Sequence, residues 1–178
     1  MMLSITKLLS DDDLRLCRQL LADAPWEDGR ATAGHLAAGV KHNLQLPLEC
    51  AAARQLGERI LLRLGQCPTF IAAALPLRVL PPRFNRYEGG GTYGNHIDNA
   101  LFRMPGGDAY VRSDISCTVF LSDPGDYAGG ELVIEDSYGD HRVKLPAGDM
   151  LLYPGTSHHR VEPVTGGTRL AAFFWTSS

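Results

Sequence analysis

The sequence predicts an α+β fold in which a helical layer packs on a double-stranded β-helix, or jelly roll, and three observations carry that reading. Two stretches in the first 76 residues repeat apolar side chains at helical spacing. From Leu77 onward the texture changes to short apolar or alternating runs, and turns rich in Gly, Pro and Asp separate them. A helix with one apolar stripe must bury it against something larger, and about eight short strands folded into two facing sheets supply that surface with few exposed edges. A chain of 178 residues, 44% of them hydrophobic, is enough for one core. Residues 1–178 are therefore expected to form a single domain, with about 1–76 as helical support and 77–178 as the jelly-roll core.

The first helix is signalled by Ser10 as N-cap and by Asp11, Asp12 and Asp13 on the first turn, where the macrodipole favours negative charge. It runs to about Ala22 and turns Leu14, Cys17, Leu20 and Leu21 to one side. In Val40–Leu46, strand alternation puts Lys41, Asn43 and Gln45 on one face and Val40, Leu44 and Leu46 on the other. The polar face either lines the entrance to a site or is the solvated side of an edge strand. A second helix reads from Pro47 at a first-turn position through Ala52, Leu56, Ile60 and Leu64 to a stop at Gly65. Strands follow at 115–121, 131–134, 142–145, 149–153 and 169–175. The segment Asn99–Arg112, with Met104-Pro-Gly-Gly-Asp108 in its middle, is long for a hairpin loop and is expected to act as a lid.

Bulk properties exclude several classes of function. The formal charge of −3 arises from 20 acidic and 17 basic residues mixed along the chain, so there is no basic stripe for nucleic acid. Cys17, Cys50, Cys67 and Cys117 are too far apart for a zinc or disulfide framework and read as reduced thiols. Met1–Ser10 lacks the apolar core of a signal peptide, and no apolar run approaches the roughly 20 residues needed to span a bilayer. A cytoplasmic location without membrane association is the expectation.

The chemistry concentrates in three places. In Tyr87-Glu-Gly-Gly-Gly-Thr-Tyr93-Gly-Asn-His96-Ile-Asp98, an imidazole and a carboxylate two positions apart project from one face of an extended strand. Such a triplet is weak alone, since surface His and Asp need no function. A later histidine, His159, closes the apolar run Leu151-Leu-Tyr-Pro-Gly-Thr-Ser-His-His159 and can complete a site from a distant strand. Two imidazoles and one carboxylate on one side of a metal leave the opposite positions open, as non-haem iron(II) requires to bind a cosubstrate and O2 together, and this favours iron over a closed zinc site. Third, Arg169 opens the apolar strand Arg169-Leu-Ala-Ala-Phe-Phe-Trp175. Its planar, permanently charged fork suits the far carboxylate of a dicarboxylic keto acid, the alternative being a strand-end arginine in solvent.

These residues, together with Trp26–Gly34, Val40–Leu46, Arg86-Tyr87, Asp114–Asp123, Gly129–Leu132 and the stretch from His159 to Trp175, resemble the PKHD-type hydroxylases. Those are prolyl-4-hydroxylase-like oxygenases related to iron-uptake factor C, and the likeness runs over the whole chain. The resemblance implies an Fe(II)- and 2-oxoglutarate-dependent dioxygenase that hydroxylates a small molecule or peptide with release of succinate and CO2. It implies that His96, Asp98 and His159 bind the catalytic Fe(2+), that Arg169 pairs with the tail of 2-oxoglutarate, and that Tyr87 donates a hydrogen bond to it. His158 is the second choice as ligand. O2, an L-ascorbate requirement, a link to iron homeostasis and a homodimer belong to the same implication, although members of that family continue past the final Trp-X-X-Ser with a helical tail where this chain stops at Ser178. Trp175 reads as a cosubstrate contact or as plain core, and His35, His42 and His141 as structural or surface residues. A cupin-type metal enzyme and a non-catalytic iron or 2-oxoglutarate sensor are the competing readings.

Overall fold

The computed structural model describes residues 2–32 and 35–178. In chain order the elements are β1 (Leu3–Ile5), α1 (Asp11–Ala22), β2 (Glu27–Asp28), α2 (His35–Ala38), β3 (Lys41–His42), β4 (Leu44–Gln45), α3 (Ala51–Gly65) and α4 (Pro68–Ala74). Then come β5 (Arg78–Val79), β6 (Arg83–Glu88), β7 (Thr92–His96), β8 (Leu101–Arg103), β9 (Tyr110–Arg112), β10 (Ile115–Phe120) and β11 (Tyr127–Gly129). The chain closes with β12 (Leu132–Asp136), β13 (Gly139–Val143), β14 (Met150–Pro154), β15 (His159–Val161) and β16 (Val164–Ser177).

The strands form a jelly roll of two antiparallel sheets. The major sheet runs β1-β14-β10-β16-β6-β4-β2, with β5 and β11 also paired to β16. The minor sheet runs β13-β12-β15-β7-β3, and β8 with β9 makes a separate hairpin. Strand alternation divides the interior in two. On β16, Ala172 and Phe174 join a core with Phe84, Cys117, Val119, Met150 and Leu152 on the helical side of the major sheet. The residues between them face the minor sheet, where Tyr87, Phe120, Leu151 and Tyr153 pack with Leu132, Ile134 and Val161. Because both faces of the major sheet are covered, its strands read as nearly continuous apolar runs.

The helical layer covers that outer face. On α3, Leu56, Ile60 and Leu64 are at most 2% exposed and lie at four-residue steps, each burial worth about 1.5–3 kcal/mol. Helix α1 starts as expected, with a reciprocal capping box between Ser10 and Asp13. Asp13 is fully buried and also accepts from Arg59 (3.0 Å) and Arg63 (2.8 Å), one turn apart on α3, which ties the two helices together. Burial alone raises its pKa, but Arg63 and the Ser10 donors outweigh it and hold the carboxyl at about 2.

Several local readings are corrected. Pro47 lies three residues before Cys50, the N-cap of α3, and its carbonyl closes a turn with the Cys50 N–H; it is not in the first helical turn. Helix α4 has Pro68 at its start, a signal the periodicity reading passed over because the helix is only 7 residues long. The first 76 residues are not helical support alone, since β1 to β4 extend both sheets. Asn99–Arg112 is not one open loop but contains the β8–β9 hairpin. The run placed at 142–145 is centred earlier, as β13, in register with β12. All four cysteines are free thiols, Cys17 and Cys117 buried and the other two half-buried.

Candidate active site

A cavity of about 210 Å³ opens between the two sheets, and the three residues singled out as metal ligands meet on its wall. His96 ends β7 and His159 begins β15, and the strands pair so that these two residues are direct partners. Asp98 follows β7 by two residues. The donor atoms of the three side chains all lie within 4.8 Å of one another, and each imidazole Nε2 is 3.6 Å from an Asp98 oxygen. One cation can reach all three.

The backbone prepares both imidazoles in the same way. Nδ1 of His96 is 2.8 Å from the Gly94 carbonyl and Nδ1 of His159 is 3.1 Å from the Ser157 carbonyl, each two residues back. A carbonyl only accepts, so Nδ1 carries the proton and Nε2 presents its lone pair to the cavity. Tyr93 stacks on His96 at 3.6 Å between centroids, and Tyr153 meets His159 edge-on at 5.2 Å, which fixes the ring planes. Burial lowers the pKa of His159 and keeps it neutral. His158, by contrast, is exposed, and its carbonyl accepts from the Glu135 N–H; the structure brings His159 and not His158 to the cluster.

Asp98 is held by two donors the sequence reading did not assign. Trp175 Nε1 donates to Oδ2 at 2.8 Å and Ser116 Oγ donates to the same oxygen at 3.0 Å. Burial raises the Asp98 pKa, but the two imidazoles when they are protonated, together with the Trp175 N–H, overcome it and hold the carboxyl at about 2. Ser116 and Trp175 are register partners on β10 and β16, and only that pairing shows that they reach one carboxylate.

At the other end of the cavity, Arg169 is 1% exposed and faces Tyr87, its register partner on β6. Its guanidinium lies 5.3 Å from the Tyr87 ring and 5.6 Å from that of Phe120. Among the described residues its Nε has no hydrogen-bond partner, and the buried Tyr127 hydroxyl lies beside the guanidinium. A guanidinium cannot shed its charge, so this burial calls for an anion. Burial raises the Tyr87 pKa and keeps its phenol protonated, a donor.

Two of the three polar residues of Val40–Leu46 also reach the cavity. Lys41 and Gln45 line it, whereas Asn43 lies beside the Tyr87 hydroxyl and also borders a separate surface pocket with Asp28 and Glu88; all three are buried, so the polar face is not a solvated edge. The segment β3–β4 crosses from the minor to the major sheet, and Lys41 Nζ donates to Gln45 Oε1 at 2.9 Å across that seam. His42 and His141 lie away from the cluster, His141 paired with Asp136 on the surface, and the His35 side chain falls outside the described residues.

Residues 82–177, more than half of the chain, match the 2OG-Fe(II) oxygenase superfamily. The chain belongs to that superfamily. It is a 2-oxoglutarate-dependent dioxygenase, and the family's chemistry uses Fe(2+), 2-oxoglutarate and O2. A PKHD-type hydroxylase of Delftia acidovorans is 64% identical over 178 residues, which are all of this chain and 79% of the relative. Among solved structures, a Pseudomonas putida prolyl-4-hydroxylase superposes with a TM-score of 0.63 at 23% identity, over 98% of this chain and 91% of that one. HygX of Streptomyces hygroscopicus, solved with nickel, 2-oxoglutarate and hygromycin B, gives a TM-score of 0.66 at 18% identity, over 99% and 83% of the two chains. At these identities the two structures bear on the fold alone. The dioxygenase's own residues fit the family's cofactors: an N,N,O donor set with bare Nε2 atoms, and a buried guanidinium that forms no ion pair among the described residues.

Proposed function

We propose that this dioxygenase hydroxylates a small-molecule or peptide substrate with release of succinate and CO2, binding iron through His96, Asp98 and His159 and the distal carboxylate of 2-oxoglutarate through Arg169 with Tyr87. One observation carries the assignment: the N,N,O cluster and a buried guanidinium whose Nε has no hydrogen-bond partner among the described residues line one cavity between the same two sheets. Bound together, the metal and cosubstrate supply an oxidant strong enough to hydroxylate an unactivated C–H bond. This chain's residues do the rest. The Nδ1–carbonyl bonds hold both imidazoles in the ligating tautomer. Ser116 and Trp175 aim the carboxylate. Arg169 and the protonated Tyr87 fix the far end of the keto acid so that its other end is directed at the cluster. The apolar residues of the inner core keep water from the reacting centre.

The proposal extends, on the family resemblance, to L-ascorbate as reductant and to a role in iron homeostasis. A cytoplasmic location accords with the free thiols. Among the described residues no helix is long and apolar enough to cross a membrane.

The test is an anaerobic titration of Fe(II) into metal-free protein with 2-oxoglutarate present, read by the visible charge-transfer band of the chelate. The band should form in wild type and be lost in His96→Ala, Asp98→Ala and His159→Ala. In Arg169→Gln, 2-oxoglutarate should bind at least 30-fold more weakly, since truncating one partner of a buried, hydrogen-bonded charge pair costs about 2–5 kcal/mol. Metal binding without the band in folded wild type would favour a cupin-type metal enzyme. A band without any succinate on exposure to O2 would favour a sensor.

A further inference from the structure

Two more cations line the cavity, and neither the N,N,O cluster nor Arg169 uses them. Lys41 is 4% exposed, and its ammonium lies 5.1 Å from the centroid of the Tyr93 ring, which itself stacks on His96. Arg83 points inward from β6 and is half-buried. Burial, and after it the nearness of Arg83, lowers the Lys41 pKa to about 8 against the pull of Asp98 and Asp28; burial also lowers that of Arg83, against Glu49. Placing two like charges on one partly desolvated wall is unfavourable unless an anion shares them.

The cosubstrate does not answer that need. In the register of β6 with β16, Tyr87 pairs with Arg169 and Arg83 pairs with Phe173, four residues further along. At about 3.3 Å per residue the two arginines are set roughly 13 Å apart along the strands. A keto diacid with one end on Arg169 and the other on the metal has both ends in use. Asp98 is the only carboxylate among the described residues that line the cavity, Asp28 and Glu49 lying outside that lining; a dication, that dianion, Asp98 and Arg169 together are neutral, so Lys41 and Arg83 leave the lining itself positive. Beside them is an apolar shelf: Phe102 of the β8–β9 hairpin stacks on Trp175 at 3.9 Å, and Phe173 meets Trp175 edge-on at 5.6 Å. With cosubstrate in its inner half, a cavity of about 210 Å³ has room for a ring or a short chain.

We propose that Lys41 and Arg83 form an anion subsite for the substrate, which is a small molecule whose carboxylate lies next to an apolar or aromatic body that packs on Phe102, Phe173 and Trp175. The proposal rests on the dioxygenase reading of the same cavity. Arg83 is then a specificity-determining residue, and the β8–β9 hairpin carries one wall of the substrate site.

The test uses 3-phenylpropionate and its neutral isostere 3-phenylpropanamide as probes. Each is titrated into anaerobic Fe(II) enzyme saturated with 2-oxoglutarate, with Trp175 fluorescence as readout in a Trp26→Phe background and the charge-transfer band followed in parallel. The acid is expected to bind at least tenfold more tightly than the amide. Arg83→Gln should remove most of that preference, Arg83→Lys should keep part of it, and Lys41→Gln should reduce it, all with the band in place. Equal binding of acid and amide, no binding of the acid at tens of millimolar, or a preference that survives in the Arg83→Gln/Lys41→Gln double variant overturns the subsite. Loss of the band in Arg83→Gln also overturns it, because Arg83 would then hold cosubstrate. Absence of the band in wild type is a different failure, that of the dioxygenase reading.

Discussion

Replacing Trp175 by Phe removes one hydrogen bond to the Asp98 carboxylate while leaving an aromatic ring to stack on Phe102. The lost bond is short, 2.8 Å from Nε1 to Oδ2, and ends on a buried, ionised oxygen. Hydrogen bonds to charged groups contribute about 1.5–3 kcal/mol. At about 1.4 kcal/mol per tenfold, that corresponds to roughly a 10- to 100-fold loss in metal affinity, the range found for residues that orient a metal ligand. Ser116 still donates to the same oxygen at 3.0 Å, so the single variant should fall near the tenfold end. Ser116→Ala should behave similarly, and the double variant should lose more than the two singles combined, because only then is that oxygen left without a donor. The assay is an anaerobic Fe(II) titration with tryptophan-independent detection, together with the thermal midpoint of the metal-free protein to separate folding from binding. Affinity within twofold of wild type in a folded Trp175→Phe/Ser116→Ala variant would refute the view that these two donors hold Asp98 for the metal.

Three further outcomes follow from the same geometry. Asp13 titrates at about 2 in the fold against about 3.9 when unfolded, so it contributes about 2–3 kcal/mol above the unfolded value, lost as pH falls toward 2; urea midpoints at pH 5 and pH 2.5 should differ less in Asp13→Asn than in wild type. His159, whose pKa burial lowers, takes up a proton in the unfolded chain before the folded one does; the stability it contributes is complete above about pH 6.5 and declines below, and its metal-binding lone pair should persist to lower pH than that of an exposed histidine, as a pH series of Fe(II) affinities would show. Gly155 sits so close to the chain before β10 that a Cβ there would come within 1.9 Å of the Ser113 carbonyl oxygen, backbone that cannot rotate away; Gly155→Ala should cost at least about 1–3 kcal/mol in denaturant unfolding, and an unchanged midpoint would contradict that packing.

What the sequence by itself determined was carried by short-range patterns. Ser10 and the three aspartates placed the start of α1, four-residue apolar steps placed α3, and the two-residue spacing of His96 and Asp98 pointed to one site, because helix and strand periods are local properties of the backbone, although only His96 lies on β7 and Asp98 follows its end. Arg169 at the head of an apolar run could be read as an arginine in search of an anion for the same reason. Tertiary structure decided everything that depends on which strands become neighbours. Pairing of β15 with β7 selected His159 over its neighbour His158, and the β10–β16 register brought Ser116 and Trp175 to one carboxylate. The crossing of β3–β4 between sheets turned Lys41 inward, and the β6–β16 register set Arg83 beside Phe173, far from Arg169. These residues are distant in sequence and belong to no motif; long-range pairing makes them one site, since a one-residue slip in any of these registers would turn the same side chains out of the cavity.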